Sequence, residues 1–198
     1  DSNNTINFGH REAGVDVNAA DNGRVTALMQ SVRGVDYDPV IAQKLVEKGA
    51  DMELRDNSGN TALMLTVRNG DRLRLLLDLG AKPDTRDNNG QSVLMHAVWW
   101  GEYDAMRILK ANGADLHVRD HRGQTLLMYA VQRNRADVLA DLIAAGHDVD
   151  AQDNEGRTAL MCAALDGNEA IMMALIKAGA DFDRTDKEGK TAAWLLRI

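Results

Sequence analysis

The sequence predicts an all-α solenoid of stacked helix–loop–helix units, each opened by a β-hairpin finger. The first observation behind this is a repeated phrase of Thr or Ser, two aliphatic residues and Met, which begins at Thr26, Thr61, Ser92, Thr125 and Thr158, with a degenerate copy at Thr191. Successive copies are 35, 31, 33, 33 and 33 residues apart. The second observation is a set of glycines at fixed places within that interval. Such a period is typical of units that bury their apolar face only against their neighbours.

Each unit is predicted to open with a tight hairpin turn. In five units a Gly follows an Asp by three residues, where such a turn favours positive φ; these are Gly59, Gly90, Gly123, Gly156 and Gly189. The first unit has Arg24 at this place, so we expect its hairpin to be irregular.

The repeated Thr or Ser is predicted to start the first, inner helix of each unit, because its hydroxyl can accept a bond from a free N–H at the helix N-cap. Nine residues further on, a Gly or Asn is placed to end that helix in a left-handed C-cap; the four are Gly70, Gly101, Asn134 and Gly167. A second, outer helix follows, and its predicted ends are Gly49, Gly80, Gly113, Gly146 and Gly179.

Two units depart from the common length. The first carries two extra residues between Gly34 and Pro39, and Asp38 followed by Pro39 suits the N-cap and first residue of its outer helix. The second unit is two residues short near Gly70 and Asp71. We expect this deletion to trim the start of the second unit's outer helix.

These motifs resemble the ankyrin repeat, whose pattern runs D-x-x-G-x-T-P-L-H-x-A and later L-L-x-x-G-A-D-V-N-A. The block from Asp120 to Gln152 contains both halves, and the resemblance extends over about residues 14–198. It implies a repeat domain over residues 21–198, with units starting near 21, 56, 87, 120, 153 and 186. Residues 1–20 are then the remnant of an N-terminal repeat or cap.

One departure from the family predicts a feature of the core. The family's His is replaced by Met in five units, which removes the Thr–His hydrogen bond usual in the family and leaves an apolar column of Met29, Met64, Met95, Met128 and Met161. Equivalent side chains of packed helices lie roughly 8–10 Å apart, too far to share one metal ion. We therefore expect this Met column to be buried core.

Composition limits the classes of function. The 198-residue chain has a formal net charge of −7, which disfavours generic nucleic-acid binding. No apolar stretch approaches about 18 residues, so no membrane span is predicted. The one cysteine, Cys162, is expected to be a packed thiol. The chain begins with Asp1; a cytoplasmic location is favoured, with a periplasmic or secreted one if a signal peptide has been cleaved.

The sequence predicts no enzyme, cofactor or metal site. It contains no Gly-rich phosphate loop, H-E-x-x-H pair or G-x-S-x-G elbow. His117 and His121 are spaced H-x3-H, but they fall in a hairpin without Cys partners, so zinc binding is not expected.

The resemblance implies partner contacts at the hairpin tips and at the exposed ends of the inner helices, on the concave face of a cupped array. In the middle of the array these helix-end positions hold Trp99 and Trp100, two of the protein's three tryptophans. Together they can present on the order of 300–500 Å², and Trp is enriched at binding hot spots. We predict that at least one contacts a partner; the alternative is that both only pack within the array.

The second predicted feature of that face is basic. Arg86 and Arg119, like Arg55, directly precede the opening Asp of a unit, and Gln152 follows in the same row. The full set predicted to bind a partner is Trp99, Trp100, Arg68, Arg133, Arg86, Arg119, Arg122 and His121, with Arg33 on the same face. These residues suggest a protein partner with an acidic patch. The alternative is that the arginines only neutralise nearby Asp residues, since surface ion pairs contribute about 0–1 kcal/mol.

Three functions stay open at this level. The first is a non-enzymatic module that binds a protein partner on its concave face and hairpin tips. The second is a sensor that binds a phosphorylated small ligand or an oligonucleotide through Trp stacking and Arg. The third, which rests on the breadth of the family alone, is a bacterial ankyrin protein that neutralises a toxin or protects an enzyme.

Overall fold

The computed structural model describes residues 16–35 and 37–196, and the following elements belong to those residues. In chain order they are α1 (Ala27–Arg33), α2 (Pro39–Glu47), a 3-10 helix (Met64–Thr66), α3 (Gly70–Asp78), α4 (Val93–Trp100), α5 (Tyr103–Ala111), α6 (Leu126–Gln132), α7 (Ala136–Ala144), α8 (Ala159–Leu165), α9 (Glu169–Lys177) and α10 (Ala192–Leu195). None of these helices has the length and apolar character that crossing a membrane requires.

The helices form two layers, as the repeat predicts. The inner layer contains the helices that follow each Thr or Ser, namely α1, the 3-10 helix, α4, α6, α8 and α10, and each contacts the next along the array or its own outer helix. The outer layer contains α2, α3, α5, α7 and α9. The predicted all-α repeat solenoid is therefore confirmed, and each unit depends on its neighbours for burial.

The predicted N-caps begin five of the six inner helices. The hydroxyl of Thr26, Ser92, Thr125, Thr158 or Thr191 accepts a hydrogen bond from the backbone N–H three residues later, at 3.2–3.4 Å. Thr61 is the exception, since its hydroxyl lies 3.3 Å from the hydroxyl of Thr85 instead. The inner segment after Thr61 is also the only one of the six that forms a 3-10 helix in the described residues.

The prediction for the deletion in the second unit was wrong. The outer helix α3 keeps nine residues, as do the other outer helices, and Gly70 is its first residue rather than a left-handed cap. Asn69 caps α3 by accepting a bond from the N–H of Arg72 at 3.1 Å. The deletion shortens the inner helix instead, because α3 must keep its buried leucines against α5.

The expectation of an irregular first hairpin was also wrong. Arg24 adopts the left-handed region with φ 59°, and its N–H donates to the carbonyl of Asp21 at 2.9 Å. Gly59 makes the same bond to Asp56 at 2.9 Å, so the two turns have the same hydrogen bonding. The Asp21 carboxylate also accepts bonds from the N–H groups of Gly23 and Val25, which fixes the turn without a Gly.

The fingers are tight turns rather than strands. In the described residues the β-pairing consists of isolated bridges, between Ala20 and Thr26 and between Arg86 and Ser92. Each fingertip donates a backbone hydrogen bond to the previous one, as in the bond from His121 to the carbonyl of Asn89 at 2.9 Å. A Cβ on Gly90, whose φ is 77°, would lie 2.9 Å from the His121 nitrogen, so close contact between fingers requires Gly there.

The Met column is buried, as predicted. The exposed fractions are 1% for Met29, 3% for Met64, 0% for Met95, 0% for Met128 and 1% for Met161. Cys162 lies beside the column, and burial raises the pKa of its thiol to about 11, although Arg157 opposes this shift. The thiol therefore stays protonated at neutral pH and behaves as a small apolar core group.

Replacement of Met128 with Ala should lower the free energy of unfolding by about 2–5 kcal/mol, because it leaves a cavity between inner helices. Urea denaturation followed by far-UV circular dichroism measures the loss. Met173→Ala is the control: Met173 is 52% exposed on α9, and its truncation should change stability by less than about 0.5 kcal/mol. Equal effects of the two substitutions would contradict a core role for the Met column.

Candidate functional site

Trp99 and Trp100 end the inner helix of the middle unit and reach the surface. Gly101 follows them in the left-handed conformation, with φ 70°, and terminates α4. The two side chains are 36% and 48% exposed. The predicted position at the exposed end of an inner helix is therefore where the structure puts both rings.

Each tryptophan is accompanied by an arginine from a neighbouring unit. The guanidinium carbon of Arg133 lies 4.3 Å from the centre of the Trp99 ring, and its Nε donates to the Trp99 carbonyl at 3.1 Å. The guanidinium of Arg68 lies 5.2 Å from the centre of the Trp100 ring, and its Nε is 3.7 Å from Glu102. We call Arg68, Trp99, Trp100 and Arg133 the Trp–Arg cluster. It spans three successive units.

The ring of Trp99 packs against a tyrosine that the sequence analysis did not identify. The rings of Trp99 and Tyr129 meet edge to face, with centres 6.0 Å apart and planes at 68°. The Tyr129 hydroxyl donates to the Asp120 carboxylate at 3.0 Å. Burial raises the pKa of Tyr129 well above its ordinary value, and the nearby Asp120 raises it further, so the hydroxyl stays protonated and keeps this bond.

A sequence signal for this support does exist in retrospect. Tyr129 follows the opening Asp120 by nine residues, and His96 stands at the same distance from Asp87, with its Nε2 3.0 Å from that carboxylate. The first oxygen of each Asp fixes the turn, as in the bonds from the N–H groups of Arg122 and Gln124 to Asp120. The second oxygen is then free for the residue on the inner helix.

The hairpin tip predicted as part of the site lies next to Trp99. A cleft of about 240 Å³ is lined by Trp99, His121, Arg122, Gln91 and Gln132, with Asp120 and Tyr129. The structure therefore brings together Trp99, Arg133, His121 and Arg122 around one part of the surface. Trp100 and Arg68 continue it towards the second unit.

Arg86 and Arg119 have a structural role that neither sequence alternative described. Nη1 of Arg86 donates to the carbonyl of Gly90 in its own turn, at 3.0 Å, and to that of Arg119 in the next unit, at 2.6 Å. Nη1 of Arg119 likewise binds the carbonyls of Gly123, at 3.0 Å, and Gln152, at 2.7 Å. Among the described residues neither guanidinium forms an ion pair.

Gln152 occupies the same row and acts in the same way, and Arg55 makes the bond to the next unit. Arg55 donates to the carbonyl of Arg86, and the Gln152 amide binds the carbonyls of Gly156, at 2.5 Å, and Thr185, at 2.9 Å. We call Arg55, Arg86, Arg119 and Gln152 the inter-unit clamps. The presence of Gln in the row is the signal that sequence reasoning missed, because Gln and Arg share N–H donors but not charge. Partner contact by Arg86 and Arg119 stays a prediction.

The histidines of the described residues do not assemble a metal site. His117 packs against His147, with ring centres 5.1 Å apart, while His121 lies at the Trp99 cleft. Within residues 16–35 and 37–196, no group of three or more His, Cys, Asp or Glu side chains could hold a metal ion.

Comparison with known families gives a consistent result over most of the chain. A model described as ankyrin repeats in three copies matches residues 28–120 and 127–195. A second model, described as ankyrin repeats in many copies, matches residues 100–143. These ranges include both tryptophans and the whole Trp–Arg cluster. No curated protein matches the chain.

Removal of one clamp should destabilise the array. Arg119→Ala should lower the free energy of unfolding by about 1–2 kcal/mol, because two hydrogen bonds to backbone carbonyls are lost. Arg119→Gln should recover part of that loss, since Gln152 makes equivalent bonds in the next unit. The control is Arg122→Ala at the exposed hairpin tip, with an expected change below about 0.5 kcal/mol. Urea denaturation compares the four proteins; equal losses for Arg119→Ala and Arg122→Ala would contradict the clamp.

Proposed function

The chain belongs to the ankyrin-repeat family, and we propose that it is a non-enzymatic module that binds a protein partner on its concave face and hairpin tips, centred on the Trp–Arg cluster. Ankyrin repeats are in general protein–protein interaction modules, and the family is in general non-enzymatic.

The exposure of two adjacent tryptophans is the observation that carries this proposal. Trp99 and Trp100 are 36% and 48% exposed at the end of α4, although α4 is otherwise among the most apolar elements. Burial of such rings in an interface is a main source of binding energy, because Trp is enriched in hot spots near the centre of interfaces. Trp99 and Trp100 lie in the middle of the array, whereas residues of the first and last units would lie further from the centre of an interface on this face.

The cluster is ordered before a partner arrives. Arg133 holds Trp99 by stacking on its ring and by a hydrogen bond to its backbone, and the Tyr129 ring contacts the Trp99 ring edge to face. A side chain that is already fixed loses less conformational freedom on binding, at roughly 0.5–1.5 kcal/mol for each flexible side chain that would otherwise be immobilised. This favours binding through a rigid patch.

The same contacts favour a protein partner over a stacked nucleobase. Arg133 already covers one face of Trp99 and Arg68 one face of Trp100, which leaves a stacked base only the opposite face of each ring. The net charge of −7 also gives no general attraction for nucleic acid. The composite Trp–Arg surface instead offers apolar area flanked by cations, a combination enriched at protein interfaces.

The charge around the cluster favours an acidic patch on the partner. Arg122 at the adjacent hairpin tip is exposed and has no ion-pair partner among the described residues, and Arg133 is exposed beside it. Arg86 and Arg119 each bind two turn carbonyls, whereas Arg133 donates only its Nε to the Trp99 carbonyl. Arg122 and Arg133 are therefore the cations available to steer an acidic partner.

Truncation of the tryptophans should weaken binding without unfolding the protein. The wild-type chain is used to capture its partner from the native host, and the captured protein is then titrated by calorimetry. Trp99→Ala or Trp100→Ala should reduce affinity by about 2 kcal/mol or more, the usual threshold for a hot spot. Far-UV circular dichroism and urea denaturation establish that the variants stay folded.

Trp194→Ala is the matched control. Trp194 is 47% exposed on α10, at the opposite end of the described array from α1, and its loss should leave affinity unchanged. Unchanged affinity in both Trp99→Ala and Trp100→Ala would reject the cluster as the interface. Binding of free nucleotides that quenches Trp fluorescence and falls steeply with salt would favour the ligand sensor instead.

The positive charge of Arg122, at the edge of the proposed interface, should affect the rate of association more than the rate of dissociation. Arg122→Gln should slow partner association and flatten its dependence on ionic strength, because exposed rim charges mainly steer the encounter. Stopped-flow association at several salt concentrations measures this. Arg74→Gln, at an exposed position on the outer helix α3, removes an equal charge and should have no such effect. Equal changes in the two variants would mean that only net charge matters.

A further inference from the structure

A groove of about 720 Å³ lies between the outer helices α5 and α7, and no residue of the Trp–Arg cluster lines it. Its apolar walls include Leu94 and Leu126 at the inner layer and Met106, Leu116 and Val138 around them. This volume falls within the range of small-molecule sites, about 300–1,000 Å³. The groove lies at the junction between the third and fourth units.

Two residues of this groove differ in kind from their counterparts in the other units. His147 follows the Gly that ends α7, where the other units have a buried Ala, at Ala50, Ala81, Ala114 and Ala180. Lys110 stands three residues before the corresponding Gly at the end of α5, where the other units have an aliphatic residue, at Val46, Leu77, Ile143 and Ile176. Both exceptions line the same groove.

His147 is buried with part of its hydrogen-bonding capacity unused. Its exposed fraction is 8%, and its Nε2 has no hydrogen-bond partner. A buried polar nitrogen without a partner is unfavourable by roughly 1–3 kcal/mol relative to a satisfied one. An Ala at this position, as in the other units, would avoid that loss.

A hydrogen bond between units, from a backbone N–H to a side chain, is replaced at the same junction. At the other junctions the N–H two residues after the Gly donates to a side-chain oxygen of the preceding unit, as from Asp115 to Asp84 and from Asp181 to Asp150, both at 2.8 Å. At the α5–α7 junction His117 occupies the acceptor position, and its ring packs on His147 with centres 5.1 Å apart. The paired imidazoles thus replace a regular structural contact.

The end of the groove at His147 is basic. Burial lowers the pKa of His147 most, and His117 and Lys110 lower it further, so the groups acting on the ring are themselves bases. Lys110 forms no ion pair within the described residues, whereas Arg107 pairs with Asp104 at 2.8 Å. Asp141 on α7 is the other carboxylate along the groove, and it does not contribute to the shift at His147.

We propose that this groove binds a small apolar molecule with a single carboxylate, such as a medium-chain fatty acid. The chain lies along the apolar walls between α5 and α7, and the carboxylate pairs with Lys110 at the mouth. Nε2 of His147 donates a hydrogen bond to the carboxylate after a rotation of the imidazole, a side-chain adjustment common at binding sites. The ligand thereby satisfies the nitrogen that the protein alone leaves without a partner.

Decanoate, below its micelle concentration, is the probe, and the full chain is titrated by calorimetry and by NMR of the histidine side chains. We expect saturable binding of one decanoate that shifts the His147 resonances and leaves the Trp99 and Trp100 indole signals unchanged. Decanol, with the same chain and no charge, should bind about tenfold or more weakly, because it lacks the charge-assisted bonds. Decyltrimethylammonium should not compete with decanoate.

Two variants test the residues by restoring what the other units have. His147→Ala and Lys110→Ile each introduce a residue type found at the equivalent position elsewhere in the array, so both should fold. Each should weaken decanoate binding about tenfold or more while weakening decanol binding little. Lys177→Ala, which removes a lysine from the outer helix α9, is the control and should bind decanoate as the wild type does.

The proposal is overturned if decanoate gives no saturable binding, or if decanol binds as tightly as decanoate. It is also overturned if His147→Ala and Lys110→Ile bind decanoate with wild-type affinity, or if the indole signals shift and those of His147 do not. An indole shift would put decanoate at the Trp–Arg cluster; the other results do not bear on that cluster, so the two proposals are tested separately.

Discussion

Neighbouring units of this protein are held together by nitrogen donors that each bind two backbone carbonyls, one in their own turn and one in the next unit. Arg86 and Arg119 do this with a single Nη1, and Gln152 does it with its amide nitrogen. These bonds fix the distance between successive fingers. The backbone hydrogen bonds from each fingertip to the previous one maintain the same distance. The inner helices can then pack with the Met column between them. The distance between successive units also sets the relative positions of the exposed helix ends, including Trp99 and Trp100.

Most of the fold could be predicted because its determinants recur. Turn glycines, hydroxyl caps and a fixed period each appear several times, so a single irregular unit does not obscure the pattern. The wrong predictions concern contacts that do not recur from unit to unit. The spacing reveals that the second unit lacks two residues, but buried leucines of α3 decide that the inner helix is the one shortened. Arg24 forms a regular turn because the Asp21 carboxylate holds it, and no glycine rule contains that contribution.

The candidate site was predictable in position but not in its supporting contacts. The ends of the inner helices follow from the period, so the exposure of Trp99 and Trp100 could be anticipated. The edge contact with Tyr129 and the stacking of Arg133 depend on how the next unit packs, which the sequence of one unit does not contain. The row of arginines was interpreted through its charge, whereas its structural role depends on donor geometry. In a repeat protein, a residue type that varies along one column is the better guide to what that column does.

The short 3-10 helix of the second unit makes the array mechanically uneven. It has three residues, and the Thr61 hydroxyl does not cap it, so this inner segment has less helical hydrogen bonding than α1 or α4. In a linear array each unit is stabilised through its immediate neighbours, so a poorly bonded unit separates the array into a small amino-terminal part and a larger remainder. We expect the second unit to open before the other interior units under tension, and the amide hydrogens of its inner segment to exchange earlier than those of α4 or α6. Arg68 belongs to that unit and Trp100 to the next, so a molecule that binds both residues also holds the second and third units together.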